Sequence, residues 1–238
     1  MKPWTLITGA AKRLGACLAV ELAKAGHRLV LHYRNSQQEA DATARLCQKE
    51  GGDATLLFGD FSSPEGVQDF LERYLDQFLE TTCLINNVGN YLVKPLLATS
   101  LIEWDALFQT NVTTPFLLTQ GLIPTLKKTK GSILNIGSAG LERKTVGQRC
   151  PVYNLTKMSL LQLTRTLAQE LAPFQVRVNM VSPGQLSISE DLPKEVSSLP
   201  MQRTGEPEEV ARAVLFLLNP DNNYITGQNI EVAGGYCL

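Results

Sequence analysis

The sequence predicts an α/β fold: a doubly wound, seven-stranded parallel sheet with helices on both faces, forming a single domain over residues 1–238. Three observations carry this. Short apolar runs of strand character alternate with longer segments of helical periodicity along the whole chain, the pattern of successive βαβ units. A glycine-containing turn follows the first apolar run and opens the first helical segment, where such units place a phosphate site. A chain of 238 residues can bury most of its apolar surface in one such domain, and no repeat, low-complexity tract or linker divides it.

The elements follow in order. Pro3 to Thr8 is an apolar run that reads as a buried strand. It enters Gly9-Ala10-Ala11-Lys12-Arg13-Leu14-Gly15, where free N–H groups and the positive end of a helix dipole converge. Arg13 occupies the place of the middle glycine expected in a dinucleotide loop. Further strands are expected at Arg28 to Tyr33, Ala54 to Phe58, Thr82 to Asn86, Ser132 to Ile136, Val176 to Val181 and Gln228 to Val232, with helices between them. Lys127, Lys128 and Lys130 read as a solvated helix end favoured by the dipole. Glu206-Pro207-Glu208-Glu209 starts a helix, with proline in the first turn, acids facing the dipole, and Val210, Ala213, Val214 and Leu217 at helical spacing behind it. The Ser- and Pro-rich stretch 185–205 reads as a loop.

Bulk properties exclude several classes. A net charge of -1 and a pI near 6.2 provide no general attraction for nucleic acid. No segment reaches the ~18 apolar residues of a membrane helix. The N-terminus enters a strand without a charged leader and apolar stretch, so a cytoplasmic location is expected. The five cysteines, Cys17, Cys47, Cys83, Cys150 and Cys237, include no close pair and read as reduced thiols. Cys150 lies near Tyr153, but its neighbours in sequence offer nothing to activate it. His27 and His32 lack metal-ligand spacing, and no metal is expected.

The chemistry is concentrated at Tyr153 and Lys157, four residues apart and therefore on one face of a helix, with Ser138 upstream. A neighbouring cation favours the phenolate and draws a tyrosine toward the pH range of efficient proton exchange. A chain with six tyrosines yields about 0.3 chance pairs of this spacing, so the pair takes its weight from the other motifs. Cofactor choice is legible after the second strand, in Tyr33-Arg34-Asn35-Ser36. An NAD site places an acid there for the ribose hydroxyl. Here Lys12, Arg13 and Arg34 are available to a 2′-phosphate, with Asn35 and Ser36 as further donors, which points to NADP(H).

Thr8-Gly9-Ala10-Ala11-Lys12-Arg13-Leu14-Gly15, Asn86-Asn87-Val88-Gly89, Asn111, Ser138, Tyr153-x-x-x-Lys157 and Ser182-Pro183-Gly184 resemble, in order and spacing, the motifs of the short-chain dehydrogenase/reductase family, whose fold is of Rossmann type. The likeness runs on through Tyr224-Ile225-Thr226-Gly227-Gln228 and Gly234-Gly235. Val88 stands where the family usually has alanine. Ser138 precedes Tyr153 by fifteen positions, a slightly longer gap than is typical, which implies a small insertion in the loop Leu141 to Cys150.

The resemblance implies roles. Ser138 would donate to a substrate carbonyl oxygen, Tyr153 would protonate it, and Lys157 would hold the nicotinamide ribose and depress the tyrosine pKa. Asn111 would anchor a water relaying protons to Lys157. Gly9, Leu14 and Gly15 would belong to the cofactor turn, Asp60 and Phe61 would flank the adenine, Asn87 and Gly89 the adenine-side ribose, and Pro183, Gly184 and Ser187 the nicotinamide. The loop 185–205 would cover the substrate.

For that substrate two likenesses compete. Pro200-Met201-Gln202-Arg203-Thr204-Gly205-Glu206-Pro207-Glu208-Glu209-Val210 resembles 3-oxoacyl carrier-protein reductases, and Ser138 suits a ketone. The Ala-Ala-Lys-Arg turn, Leu31 to Ser36 and the aromatic Tyr91 resemble pteridine reductases, where an aromatic there stacks on the pterin. A carbonyl reductase acting on a small-molecule or acyl-carrier substrate is expected, with a pteridine reductase as the alternative and a non-catalytic NADPH-binding sensor or scaffold as a third reading. A homotetramer is also expected. Leu155, Met158, Leu160, Leu161, Leu163, Leu167 and Leu171 put apolar side chains on nearly every side of the Tyr153 helix, and family members commonly associate through it.

Overall fold

Seven strands form where the apolar runs lie: β1 (Trp4–Ile7), β2 (Arg28–Tyr33), β3 (Asp53–Phe58), β4 (Thr81–Asn86), β5 (Ser132–Ile136), β6 (Arg177–Pro183) and β7 (Asn229–Val232). This is a computed structural model, and it describes residues 3–143 and 149–236. The sheet order is β3-β2-β1-β4-β5-β6-β7, and each neighbouring pair is parallel.

Strand alternation sends side chains to two apolar layers. Leu6, Val30, Leu84, Ile133 and Val178 face α3 (Pro64–Gln77), α5 (Thr114–Thr129) and α6 (Pro151–Leu171). Ile7, Leu29, Leu31, Ile85, Leu134 and Val181 face α1 (Arg13–Lys24), α2 (Gln37–Lys49) and α7 (Pro207–Leu218). Both faces of the sheet are thereby covered, which is why its strands read as continuous apolar runs.

Helix ends follow local chemistry. Pro207 opens α7, and Glu206 and Glu209 form a reciprocal capping box, an arrangement contributing on the order of 1 kcal/mol. Lys127 and Lys128 occupy the last turn of α5, and Lys130 closes it in the left-handed conformation with φ 51. Between α4 (Leu101–Phe108) and α5 the helix widens into a π turn, Gln109–Thr113, with Asn111 at its centre. The Thr114 hydroxyl donates to the Gln109 carbonyl at 2.9 Å, satisfying a group within the irregular turn.

The apolar surplus on α6 is smaller than its leucine count implies. Leu160, Leu161, Leu167 and Leu171 are buried in the domain itself, and among its large apolar residues only Leu155 and Met158 are classed as exposed, at 39% and 49%. Among the described residues no helix is long and apolar enough to cross a membrane.

β1 and β4 are neighbours although the strands on either side of them run outward in opposite directions, so a crevice opens at their carboxyl ends. The turns after β1 to β6 all converge on that edge of the sheet.

Candidate active site

The turn after β1 is built for close approach. Gly9 has φ 64, and a Cβ on Gly15 would lie 2.1 Å from the Gly9 carbonyl oxygen, so a side chain at Gly15 would break the turn. Two groups clamp it. The Gly9 N–H donates to His32 Nδ1 at 3.0 Å, which leaves the proton on Nε2 to donate to the Gly59 carbonyl at 3.0 Å. Burial pulls this imidazole down to about 4, so it stays neutral. Asn87 Nδ2 donates to the carbonyls of Thr8 and Gly9 at 2.9 and 3.1 Å. Asn87, which the resemblance puts at the adenine-side ribose, thus holds the phosphate turn with its side chain. The first turn of α1 has neither an acid nor a side-chain cap, which leaves its end chemically suited to an anion.

A cavity of about 230 Å³ runs from this turn across the tips of β2 and β3 and is lined by Gly9, Lys12, Arg34, Asn35, Ser36 and Phe61 among others. Lys12 and Arg34 thus face one space with Asn35 and Ser36, as expected for a 2′-phosphate. Arg13 does not join them. It takes φ 56, and its guanidinium pairs with Glu190 and the Ile188 carbonyl in the loop after β6. The left-handed backbone at Arg13 aims its side chain toward the loop after β6, so in this structure two of the three expected cations line the cavity. Asp60 lies 3.5 Å from Arg34, its carboxyl held below the usual range by the Ser62 backbone N–H and, less strongly, by Arg34. Phe61 is buried and stacks on His32, with centroids 4.0 Å apart. The paired cations, the side-chain donors and the glycine cradle fit a phosphorylated dinucleotide.

The proton-handling groups meet beyond the ends of β4 and β5. Ser138 lies beside Tyr153, close enough for its hydroxyl to act on the phenol, despite the longer gap between them. Lys144 to Gln148, within the loop assigned an insertion, lie outside the described residues, as does Cys237. Burial pushes the Tyr153 phenol up to about 12, with the neighbouring Ser138 hydroxyl acting against it. The expected depression by Lys157 is overridden, because the lysine is buried too and burial lowers it to about 8. Lys157 Nζ donates to the Ile136 carbonyl at 2.7 Å. Gly89 lies beside both groups: a Cβ there would stand in ordinary contact, 3.6 Å from that ammonium and 3.4 Å from Asn111 Oδ1.

Asn111 is fully buried. Its Oδ1 accepts from the Asn90 N–H at 2.8 Å, and its Nδ2 donates to the Asn90 carbonyl and to Thr156 Oγ1 at 3.0 and 2.9 Å. It therefore ties the segment after β4 to α6, beside Lys157.

Around this centre stand Tyr91, which the sequence placed at the substrate, and two residues that sequence reasoning missed, Asp191 and Arg149. The ring of Tyr91 meets that of Tyr153 edge-on, with centroids 4.9 Å apart at 88°. The Tyr91 hydroxyl donates to Asp191 Oδ2 at 3.0 Å, and Arg149 pairs with Asp191 Oδ1. The Cys150 thiol donates to Asn154 Oδ1 at 3.6 Å, and burial raises its pKa, the opposite of activation. Pro183 ends β6, and the Gly184 N–H donates to the Val232 carbonyl at 3.0 Å. Ser187 donates its hydroxyl to Glu206 at 2.6 Å, so this donor is already engaged. His32 carried no signal beyond its place in a buried strand, and Asp191 and Arg149 none at all.

A family model described as "Enoyl-(Acyl carrier protein) reductase" matches residues 9–237. The chain is 34% identical to a 3-oxoacyl-[acyl-carrier-protein] reductase of Synechocystis sp., over 98% of this chain and 96% of the relative. A short-chain dehydrogenase/reductase from Serratia marcescens superposes with a TM-score of 0.91 at 26% identity, covering 99% and 98% of the two chains. A blue fluorescent protein from a metagenomic library, solved in complex with NADPH, gives a TM-score of 0.91 at 28% identity over 99% and 98%. With the motifs in order, the sheet order and a match spanning nearly the whole sequence, the chain belongs to the short-chain dehydrogenase/reductase family of oxidoreductases.

Proposed function

We propose that the protein is an NADPH-dependent reductase that converts a carbonyl to an alcohol, with a 3-oxoacyl thioester or similar ketone as substrate. The observation that carries this reading is the placement of Ser138 beside Tyr153 with the buried Lys157 behind the phenol ring, its ammonium 5.7 Å from the ring centre. Lys12, Arg34, Asn35 and Ser36 would hold the 2′-phosphate, the Gly9 turn the pyrophosphate, and Lys157 the nicotinamide ribose. When bound, the cofactor supplies hydride to the carbonyl carbon.

The chain's own groups handle the oxygen. The Ser138 hydroxyl donates to it and fixes its position. Tyr153 then gives up its phenolic proton as negative charge develops there. A phenol held near 12 is fully protonated at neutral pH, the form a reductase needs. Lys157, with its ammonium held by the Ile136 carbonyl, stabilises the phenolate left behind. Asn111 keeps the α6 face and the Gly89 segment in register around that ammonium.

Two features support the ketone over a pterin: a serine hydroxyl donates well to a carbonyl oxygen but is a poor proton source for a ring nitrogen, and the Synechocystis relative is named for 3-oxoacyl reduction. Tyr91, placed against Tyr153, favours a second reading as a dihydropteridine reductase. An NADPH-consumption screen across acetoacetyl thioesters, simple diketones and dihydropterins decides. The thioester or a diketone should be fastest; dihydropterin at least as efficient as every ketone would install the second reading, and no turnover at all would favour a binding protein. The proposal includes a cytoplasmic location and a homotetramer.

A further inference from the structure

Asp191 lies in the loop after β6, yet it joins three segments distant in sequence. One carboxylate oxygen accepts from the Tyr91 hydroxyl at 3.0 Å, and the other pairs with Arg149, just before α6. The Asp191 side chain is 21% exposed, against 64% for Arg149. The ion pair alone, open to water on the arginine side, would contribute little. The hydrogen bond to Tyr91 has a different consequence. Tyr91 is 41% exposed, so packing by itself does not set its ring. Its orientation comes from its hydroxyl, held by Asp191, and from its edge-on contact with Tyr153.

We propose that Asp191 is a positioning residue. From the substrate loop it aims the Tyr91 ring against the Tyr153 ring, so that seating of the loop and orientation of the proton-donating phenol are one event. The inference rests on Tyr153 being the acid. It assigns a reason for a carboxylate at this place: a Tyr91 hydroxyl donating to Asp191 cannot swing toward Ser138 and compete for the substrate oxygen. A loop that merely covers the substrate would need neither the carboxylate nor the tyrosine hydroxyl.

The test is a double-mutant cycle on Asp191→Ala and Tyr91→Phe, read by single-turnover oxidation of bound NADPH with a saturating ketone and by NADPH dissociation constants. Each single change should slow hydride transfer roughly 3- to 10-fold, as expected for loss of one hydrogen bond, with NADPH binding unchanged. The double variant should be no slower than the worse single one, and Asp191→Asn, which still accepts from Tyr91, should recover most of the rate. Hydride transfer at the wild-type rate in Asp191→Ala, with only KM raised, would leave a covering loop and overturn the proposal. So would losses that multiply in the double variant. Amide exchange over residues 185–205 gives an arm independent of turnover: both single variants should speed it alike, and unchanged exchange would also overturn the proposal. A wild-type protein inactive on every carbonyl sinks the reductase reading, and the exchange arm then judges the Asp191–Tyr91 contact separately.

Discussion

The Lys157 ammonium lies 5.7 Å from the centre of the Tyr153 ring and donates to the Ile136 carbonyl at 2.7 Å. Burial drives both groups toward their neutral forms, the lysine down to about 8 and the phenol up to about 12. At pH 7 the pair is therefore ammonium and phenol, with the lysine the first to titrate.

Carbonyl reduction should be nearly flat below about pH 7 and fall as Lys157 loses its proton near 8. Single-turnover hydride transfer followed from pH 6 to 10 measures this. Lys157→Met should be slow throughout and lack the inflection; a wild-type rate flat to pH 10 would remove Lys157 from the proton economy.

The same burial has a cost in stability. A lysine depressed in the folded state binds its proton more tightly in the unfolded chain, so the penalty is fully present below about 8 and is relieved as pH rises toward 10.5. Lys157→Met should accordingly stabilise the free protein at pH 7 by on the order of 1 to 3 kcal/mol, an advantage that shrinks by pH 10. Urea unfolding at both pH values reads it, and a destabilised variant at pH 7 would contradict the assignment.

Arg34 and Lys12 line one cavity with Asn35 and Ser36, whereas Arg13 pairs with Glu190. Arg34→Ala should weaken NADPH binding by about 1.5 to 3 kcal/mol and NADH binding little. Arg13→Ala should disturb the substrate loop more than the NADPH-over-NADH ratio. Titration of both cofactors on the three proteins tests this. Equal affinity of the wild type for the two would reject the NADP assignment.

The sheet was legible because strands buried on both faces appear as uninterrupted apolar runs, and Tyr153 and Lys157 because helical spacing puts them on one face within an ordered set of motifs that resembles a known family. Other features depended on three dimensions. Arg13 looked like a phosphate ligand until its left-handed backbone turned it toward Glu190. That the Asn87 amide holds the Thr8 and Gly9 carbonyls of the phosphate turn had no signal in the sequence. The sign of the Tyr153 shift followed from burial, which proximity to a lysine in sequence does not disclose. Asp191 lies a hundred residues from Tyr91, with no pattern linking them.

Self-association should depend on the exposed apolar residues of α6. Met158→Glu and Leu155→Glu put charge on the two large apolar side chains that the domain leaves partly open. Sedimentation at micromolar concentration should give an assembly for the wild type and smaller species for the variants. A 26.1 kDa wild-type monomer would contradict the tetramer.

The proposal on which the rest depends is that Tyr153, with Ser138 beside it, delivers the proton to a carbonyl oxygen. Its most direct test is single-turnover oxidation of saturating NADPH by a ketone in Tyr153→Phe. The variant should fold, bind NADPH as the wild type does, and lose roughly 10²- to 10⁴-fold in the hydride-transfer rate. An unchanged rate would mean that the proton comes from elsewhere.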